Sequence, residues 1–269
     1  MQSYQDQFVI ITGAASGIGY QFALEFAKRG ARVGAIDRNE GQLKVLTETI
    51  SRQSPSTKCA FVVADVTDRE AMITTTQTMI STQGTPSMVI ASAGIGDENP
   101  IVGFSAETFA RQVNINLVGV ANTLEPIIPL FIQQKRGHIV ALSSLASYRG
   151  LPNMAGYCAS KAGLSAFMDS LRVELQDYGV TCTTLCPGFI HTNMTKDLDL
   201  PPSEVMSLEY AMSRMMEAIE SKQSYLAFPS KNHWLLAFSR MLPTKLGDFL
   251  TRRRMQKLKV TESKATMTF

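Results

Sequence analysis

The chain has 269 residues, 45% hydrophobic and 18% charged, with a formal net charge of +3; this is the make-up of a globular protein and excludes a disordered or fibrous one. The positive excess sits at the C-terminus, where residues 251–269 hold six basic residues and one Glu, so the body carries no basic stripe of the kind that reads nucleic acid. A run of about 18 apolar residues and a basic-then-apolar leader are both lacking, so the expectation is no spanning helix, no export and a cytoplasmic location.

The first element is "QFVIITG", a short β-rich run that meets a glycine turn, and "YQFALEFAKRG" follows with helical periodicity and a stop at Gly30. The alternation then repeats: "ARVGAID", a polar helix over 39–53, "KCAFVVADV", a helix over 68–83, and "SMVIASAG". After these come a helix over 105–134, "GHIVALSS", a helix over 155–178, "VTCTTLCPG" and the last strand "SYLAF". Apolar runs this short and continuous, separated by helices, predict parallel strands covered on both faces. The expectation is one α/β domain over 1–269, doubly wound, with about seven parallel strands. Two stretches are expected to be irregular, 189–215 and the segment from about 230 to 269. Four cysteines, Cys59, Cys158, Cys182 and Cys186, form neither a Cys-x-x-Cys pair nor a His cluster, which predicts reduced thiols and no metal site.

Chemistry concentrates where strands end. Gly13, Gly17 and Gly19 of "TGAASGIG" lie between the first strand and the first helix, where glycines allow a tight turn and let a pyrophosphate approach backbone N–H groups. Asp37 ends the second strand, where a carboxylate accepts from an adenosine ribose and repels a 2′-phosphate, favouring NAD over NADP. Arg38, next in sequence, keeps NADP open. Asp65 and Val66, at the end of the third strand, suit either the adenine edge or, for Asp65, a helix N-cap. Ser144 ends the fifth strand. In "YCASK", Tyr157 and Lys161 share a helix face about one turn apart, so the ammonium biases the phenol toward phenolate. The plainer alternative is a Tyr on an apolar face and a Lys reaching solvent.

Taken together, T-G-x-x-x-G-x-G (12–19), Asp37, Asn116 in "NINLVG", Ser144, Tyr157-x-x-x-Lys161 and "PGFIHT" (187–192) resemble the short-chain dehydrogenase/reductase family over about residues 7–192. The resemblance implies a Rossmann-like sheet with helices on both faces and a nicotinamide dinucleotide cofactor. It implies that Tyr157 is the general acid/base and that Ser144 bonds the reacting oxygen. Lys161 would hold the nicotinamide ribose, Asn116 would seat a proton-relaying water, and Thr192 would meet the carboxamide, with Pro187 and Gly188 turning beneath the ring. Further cofactor contacts are expected from Ser16, Ile18, Ala93, Gly94 and Ile190. One departure is plain: the family's Asn-Asn-Ala-Gly is "ASAG" here, Ala91 to Gly94. The lost amides predict a weakened bond to a neighbouring strand, partly supplied by Ser92. His191 is expected to pack or to bond backbone. A homodimer or homotetramer is implied, through the helices at 105–134 and 155–178.

For the substrate, Met194, Met206, Met212, Met215 and Met216 suit either an adaptable apolar pocket or ordinary helix core. Residues 234–259 run from apolar to basic, which fits an oligomer contact and, less favoured, an anionic membrane surface. The activity expected is NAD-dependent interconversion of a secondary alcohol and a ketone, on an apolar small molecule. An NAD(H) sensor without turnover would have no use for Asn116, Ser144, Tyr157 and Lys161 together. An NADPH-preferring reductase rests on Arg38.

Overall fold

The computed structural model describes residues 3–192, 194–195, 200–230, 238 and 242–257, with side chains as far as Arg253. Seven parallel strands form one sheet in the order β3-β2-β1-β4-β5-β6-β7. They are β1 (Phe8–Thr12), β2 (Arg32–Asp37), β3 (Cys59–Val63), β4 (Met88–Ala91), β5 (Gly137–Leu142), β6 (Val180–Pro187) and β7 (Tyr225–Phe228). Register runs Phe8 to Arg32 across β1–β2 and Val9 to Met88 across β1–β4. The order reverses at β1 and β4, so the C-terminal ends of these two strands open a crevice.

Side-chain alternation in β1 divides the core. Val9 and Ile11 enter a cluster with Phe22 and Phe26 of α1 (Gly17–Lys28), Leu43 and Leu46 of α2 (Glu40–Gln53), and Met212 and Met215 of the helix Leu208–Glu220. Phe8 and Ile10 enter the opposite cluster, with Met72 and Met79 of α3 (Arg69–Gln83). Leu124, Leu164 and Met168, from helices later in the chain, complete that cluster. The period of two along the strand and the helical periodicity above it thus bury both faces.

The expected helix over 105–134 is several pieces: α4 (Ala106–Val113), a π-helical turn at Asn114–Val118, α5 (Gly119–Leu124) and α6 (Ile128–Gln133). Pro126, which lacks an N–H, falls at the break between α5 and α6. By length and composition alone this stretch, Ala106–Gln133, is apolar enough to cross a membrane, a test that a core helix also passes. Val120, Leu124, Ile127 and Phe131 are nonetheless buried against the sheet. α7 (Ala155–Leu175) ends in a 3-10 turn at Gln176–Tyr178, closed by Gly179 at φ 70°.

The expected irregular region over 189–215 is also shorter than predicted. α8 (Leu208–Glu220) starts inside it, capped by Ser207 accepting from the Tyr210 N–H. Met212, Met215 and Met216 are buried there, so these three methionines serve the core. α9 (Thr244–Lys257) lies in the C-terminal segment, of which residues 231–237, 239–241 and 258–269 fall outside the described residues. All four cysteines are free, three of them buried.

Candidate active site

A cavity of about 840 Å³ opens over the C-terminal strand ends. Its floor at one end is the glycine loop. Gly13 and Gly17 take φ of 68° and 56°, conformations that L side chains resist. A Cβ at Gly13 would lie 2.7 Å from the Ala93 backbone, and one at Gly19 would lie 2.2 Å from the Gly13 carbonyl. At Gly17 a Cβ would meet nothing within 4 Å, so the space beside it faces the cavity. α2, α3 and α4 each begin with a side chain accepting from a backbone N–H, whereas Ser16 leads into α1 without such a bond. The first turn of α1 therefore keeps its donors for an anion.

Asp37 is pinned by two backbone donors, Ala15 N–H to Oδ2 at 3.1 Å and Asn39 N–H to Oδ1 at 3.0 Å. Each carboxylate oxygen keeps a lone pair for another partner. Arg38 stands beside it, exposed and also lining the cavity. Asp65 is not a helix cap. Its Oδ1 accepts from the Thr67 N–H and hydroxyl, both at 2.8 Å, while Asp68 caps α3, because the chain makes a turn over Asp65–Asp68 before the helix begins. Ser92 Oγ lies 3.1 Å from where a Gly19 Cβ would be. It thus faces the glycine loop rather than replacing a missing amide on a neighbouring strand.

At the other end, Ser144 and Tyr157 share the wall with Lys161. The Ser144 hydroxyl accepts from the Ala146 N–H at 3.1 Å, which fixes it in the turn after β5. Lys161 is buried and its Nζ donates to the Leu142 carbonyl at 2.7 Å, 5.8 Å from the centre of the Tyr157 ring. Burial pushes the Tyr157 phenol up to about 12, against the lowering effect of the Ser144 hydroxyl. Burial likewise brings Lys161 down to about 8. The bias toward phenolate expected from the spacing of this pair is therefore outweighed: both groups lose water, and the charged form of each suffers.

Asn116 lies behind the wall, fully buried in the π turn. Its Oδ1 accepts from the Ile95 N–H at 2.8 Å, and its Nδ2 donates to the Ile95 carbonyl at 2.9 Å and the Ser160 hydroxyl at 3.0 Å. The Ser160 hydroxyl in turn donates to the Tyr157 carbonyl at 2.8 Å. This ties the loop after β4 to the first turn of α7.

Every other candidate cofactor residue lines the same cavity: Gly13, Ser16, Gly17, Ile18, Gly19, Asp37, Arg38, Asp65, Val66, Ala93, Gly94, Pro187, Gly188, Ile190 and Thr192. His191 is exposed outside it, its backbone N–H bonded to the Met206 carbonyl at 3.0 Å. Of the five methionines, Met194 lines the cavity, and Met206 packs on the core. Sequence reasoning missed Leu151 and Met154, between Ser144 and Tyr157, and the contribution of Leu242, Leu250 and Thr251 from the C-terminal segment. Apolarity was visible at the four leucine and methionine positions; that all five residues meet across the crevice was not.

A sequence profile of short-chain dehydrogenases matches residues 7–202. An uncharacterised oxidoreductase of Myxococcus xanthus is 35% identical over 91% of this chain and 96% of its own. A short-chain dehydrogenase/reductase of Burkholderia phymatum, solved with NAD, has the same fold, at TM-score 0.81 and 22% identity over 90% of this chain and 95% of that one. NAD+-bound xylitol dehydrogenase superposes at TM-score 0.67 with 27% identity, covering 70% and 72% of the two chains. The chain belongs to the short-chain dehydrogenase/reductase family of oxidoreductases.

Proposed function

We propose that this oxidoreductase interconverts a secondary alcohol and a ketone, on an apolar substrate and with NAD as its preferred dinucleotide. The observation that carries this reading is that Ser144, Tyr157 and Lys161 share one cavity with the glycine loop and Asp37. The glycine cradle and the uncapped start of α1 suit a pyrophosphate, and the fixed Asp37 carboxylate suits two ribose hydroxyls. When bound, the dinucleotide exchanges a hydride with the substrate carbon at its nicotinamide ring.

The chain's own residues handle the proton. In oxidation Tyr157 takes the hydroxyl proton, and in reduction it returns one to the carbonyl oxygen. Ser144 holds that oxygen beside the phenol. A phenol near 12 is a weak base at neutral pH, and each unit of lowering is worth about 1.36 kcal/mol. Lys161, at about 8, stays protonated at neutral pH and supplies one positive charge toward that lowering. Ile95, Leu145, Leu151, Met154 and Phe189 line the same cavity, which supports an apolar substrate.

The test is a pair of fluorescence titrations with NADH and NADPH, then a turnover screen of secondary alcohols and ketones with the wild-type chain and Tyr157→Phe. The expected result is tighter NADH, turnover of apolar compounds, and a variant that binds NADH normally while losing about 10²–10⁴-fold in rate. Retention of more than a few per cent of the activity would remove Tyr157 from its role. Tighter NADPH would transfer the weight from Asp37 to Arg38, and binding without turnover on any compound would favour a sensor.

A further inference from the structure

Exposed apolar side chains gather on the segments that border the cavity. The loop after β4 lines it with Ile95 and Gly96 and then exposes Ile101, 84% open to solvent. The C-terminal segment lines it with Leu242 and Thr251 and exposes Phe238 at 61% and Phe249 at 57%. Single exposed apolar residues are ordinary; several around one opening mark an interaction surface.

α9 has two distinct faces. Gly247 is buried against the Arg149 guanidinium, where a Cβ would come within 2.7 Å, and Thr251, one turn on, reaches the cavity. The opposite face presents Leu246 and Phe249 at helical spacing, both exposed, flanked by the exposed Lys245 and Arg252. α9 holds five basic residues and one acid, and that acid, Asp248, is paired with Arg149 at 2.7 Å. Apolar side chains set among basic ones suit a headgroup layer, where rings insert and the cations meet anionic lipid. A second copy of the chain suits this face poorly, since an isologous contact would bring like charges together.

We infer that the cavity mouth docks on an anionic bilayer through α9, with Leu246 and Phe249 inserted and Lys245 and Arg252 on the headgroups. An apolar substrate then passes between the lipid and the cavity without crossing water. The docking itself stands apart from the catalytic reading, because vesicle binding is read without turnover.

The experiment is sedimentation of the whole chain with vesicles of phosphatidylcholine alone and of phosphatidylcholine with phosphatidylglycerol. The variants are Leu246→Gln/Phe249→Gln and Lys245→Glu/Arg252→Glu, none of which lines the cavity. The wild-type chain should pellet with the anionic vesicles only, and less so at high salt. Each double variant should bind about tenfold more weakly or worse, with unchanged circular dichroism and NADH affinity. A wild-type chain left in the supernatant overturns the inference, as does equal pelleting of the variants. Light scattering supplies a further check: variants that dissociate an oligomer while vesicle binding persists would assign α9 to a second copy instead.

Discussion

Lys161 exchanges bulk water for a single carbonyl, that of Leu142, and its pKa falls from 10.5 to about 8 because the buried ammonium is poorly solvated. The unfolded chain holds that proton up to pH 10.5 and the folded chain only to about 8, so between these values the unfolded state binds more protons and stability rises with pH. Tyr157, raised to about 12, opposes this only above pH 10, where its unfolded phenol begins to ionise. Lys161→Met removes the lysine's contribution. Urea melts of the two proteins should therefore diverge in favour of the wild type by on the order of 2 kcal/mol as pH rises from about 8 to about 10. A constant difference would mean that the ammonium is better solvated than its burial implies. Tyr157, Lys161 and Ser144 could be picked out only in company, from their order along the chain with the glycine loop, since each alone also fits a plain structural role. The work of Asn116 could not, because its partners Ile95 and Ser160 are 21 and 44 residues away.

Among the elements, the glycine loop separates two effects that the sequence lumps together. At Gly19 the obstacle is contact, a Cβ 2.2 Å from the Gly13 carbonyl, and the loop itself must move. At Gly17 the obstacle is conformation, φ 56° with open space around it, a strain of roughly 1–2 kcal/mol for an L residue. Gly19→Ala should cost more folding stability than Gly17→Ala. Both should weaken NADH, Gly17→Ala by filling the space beside the loop. Paired urea melts and NADH titrations check this, and equal stability losses would show that the loop yields without cost. The strands and most helices were legible because period two and period 3.6 are local properties. The π turn at Asn114–Val118 and the early start of α8 were not. The first depends on Asn116 reaching the loop after β4, and the second on Met212 and Met215 finding the α1 side of the sheet.

For the molecule as a whole, the C-terminal segment closes one side of the crevice. The Arg149–Asp248 pair joins α9 to the loop that follows Ser144. Asp248 is largely exposed, so the pair contributes under about 1 kcal/mol to global stability; its effect is on where α9 rests. Asp248→Lys should leave the urea midpoint nearly unchanged while trypsin cleaves within residues 252–257 several-fold faster, read by mass spectrometry. Unchanged cleavage would mean that the Gly247 and Thr251 contacts hold α9 without the pair. The sequence by itself determined a parallel α/β sheet, a glycine loop after β1, an acidic end to β2 and a Tyr-Lys pair on one helix face, since each depends on neighbours within a few residues. Only the tertiary structure decided that fifteen candidate cofactor residues line one cavity, that Asn116 stands behind its wall, and that α9 roofs it. Those are contacts between segments far apart in the chain, set by packing across the sheet rather than by any local pattern.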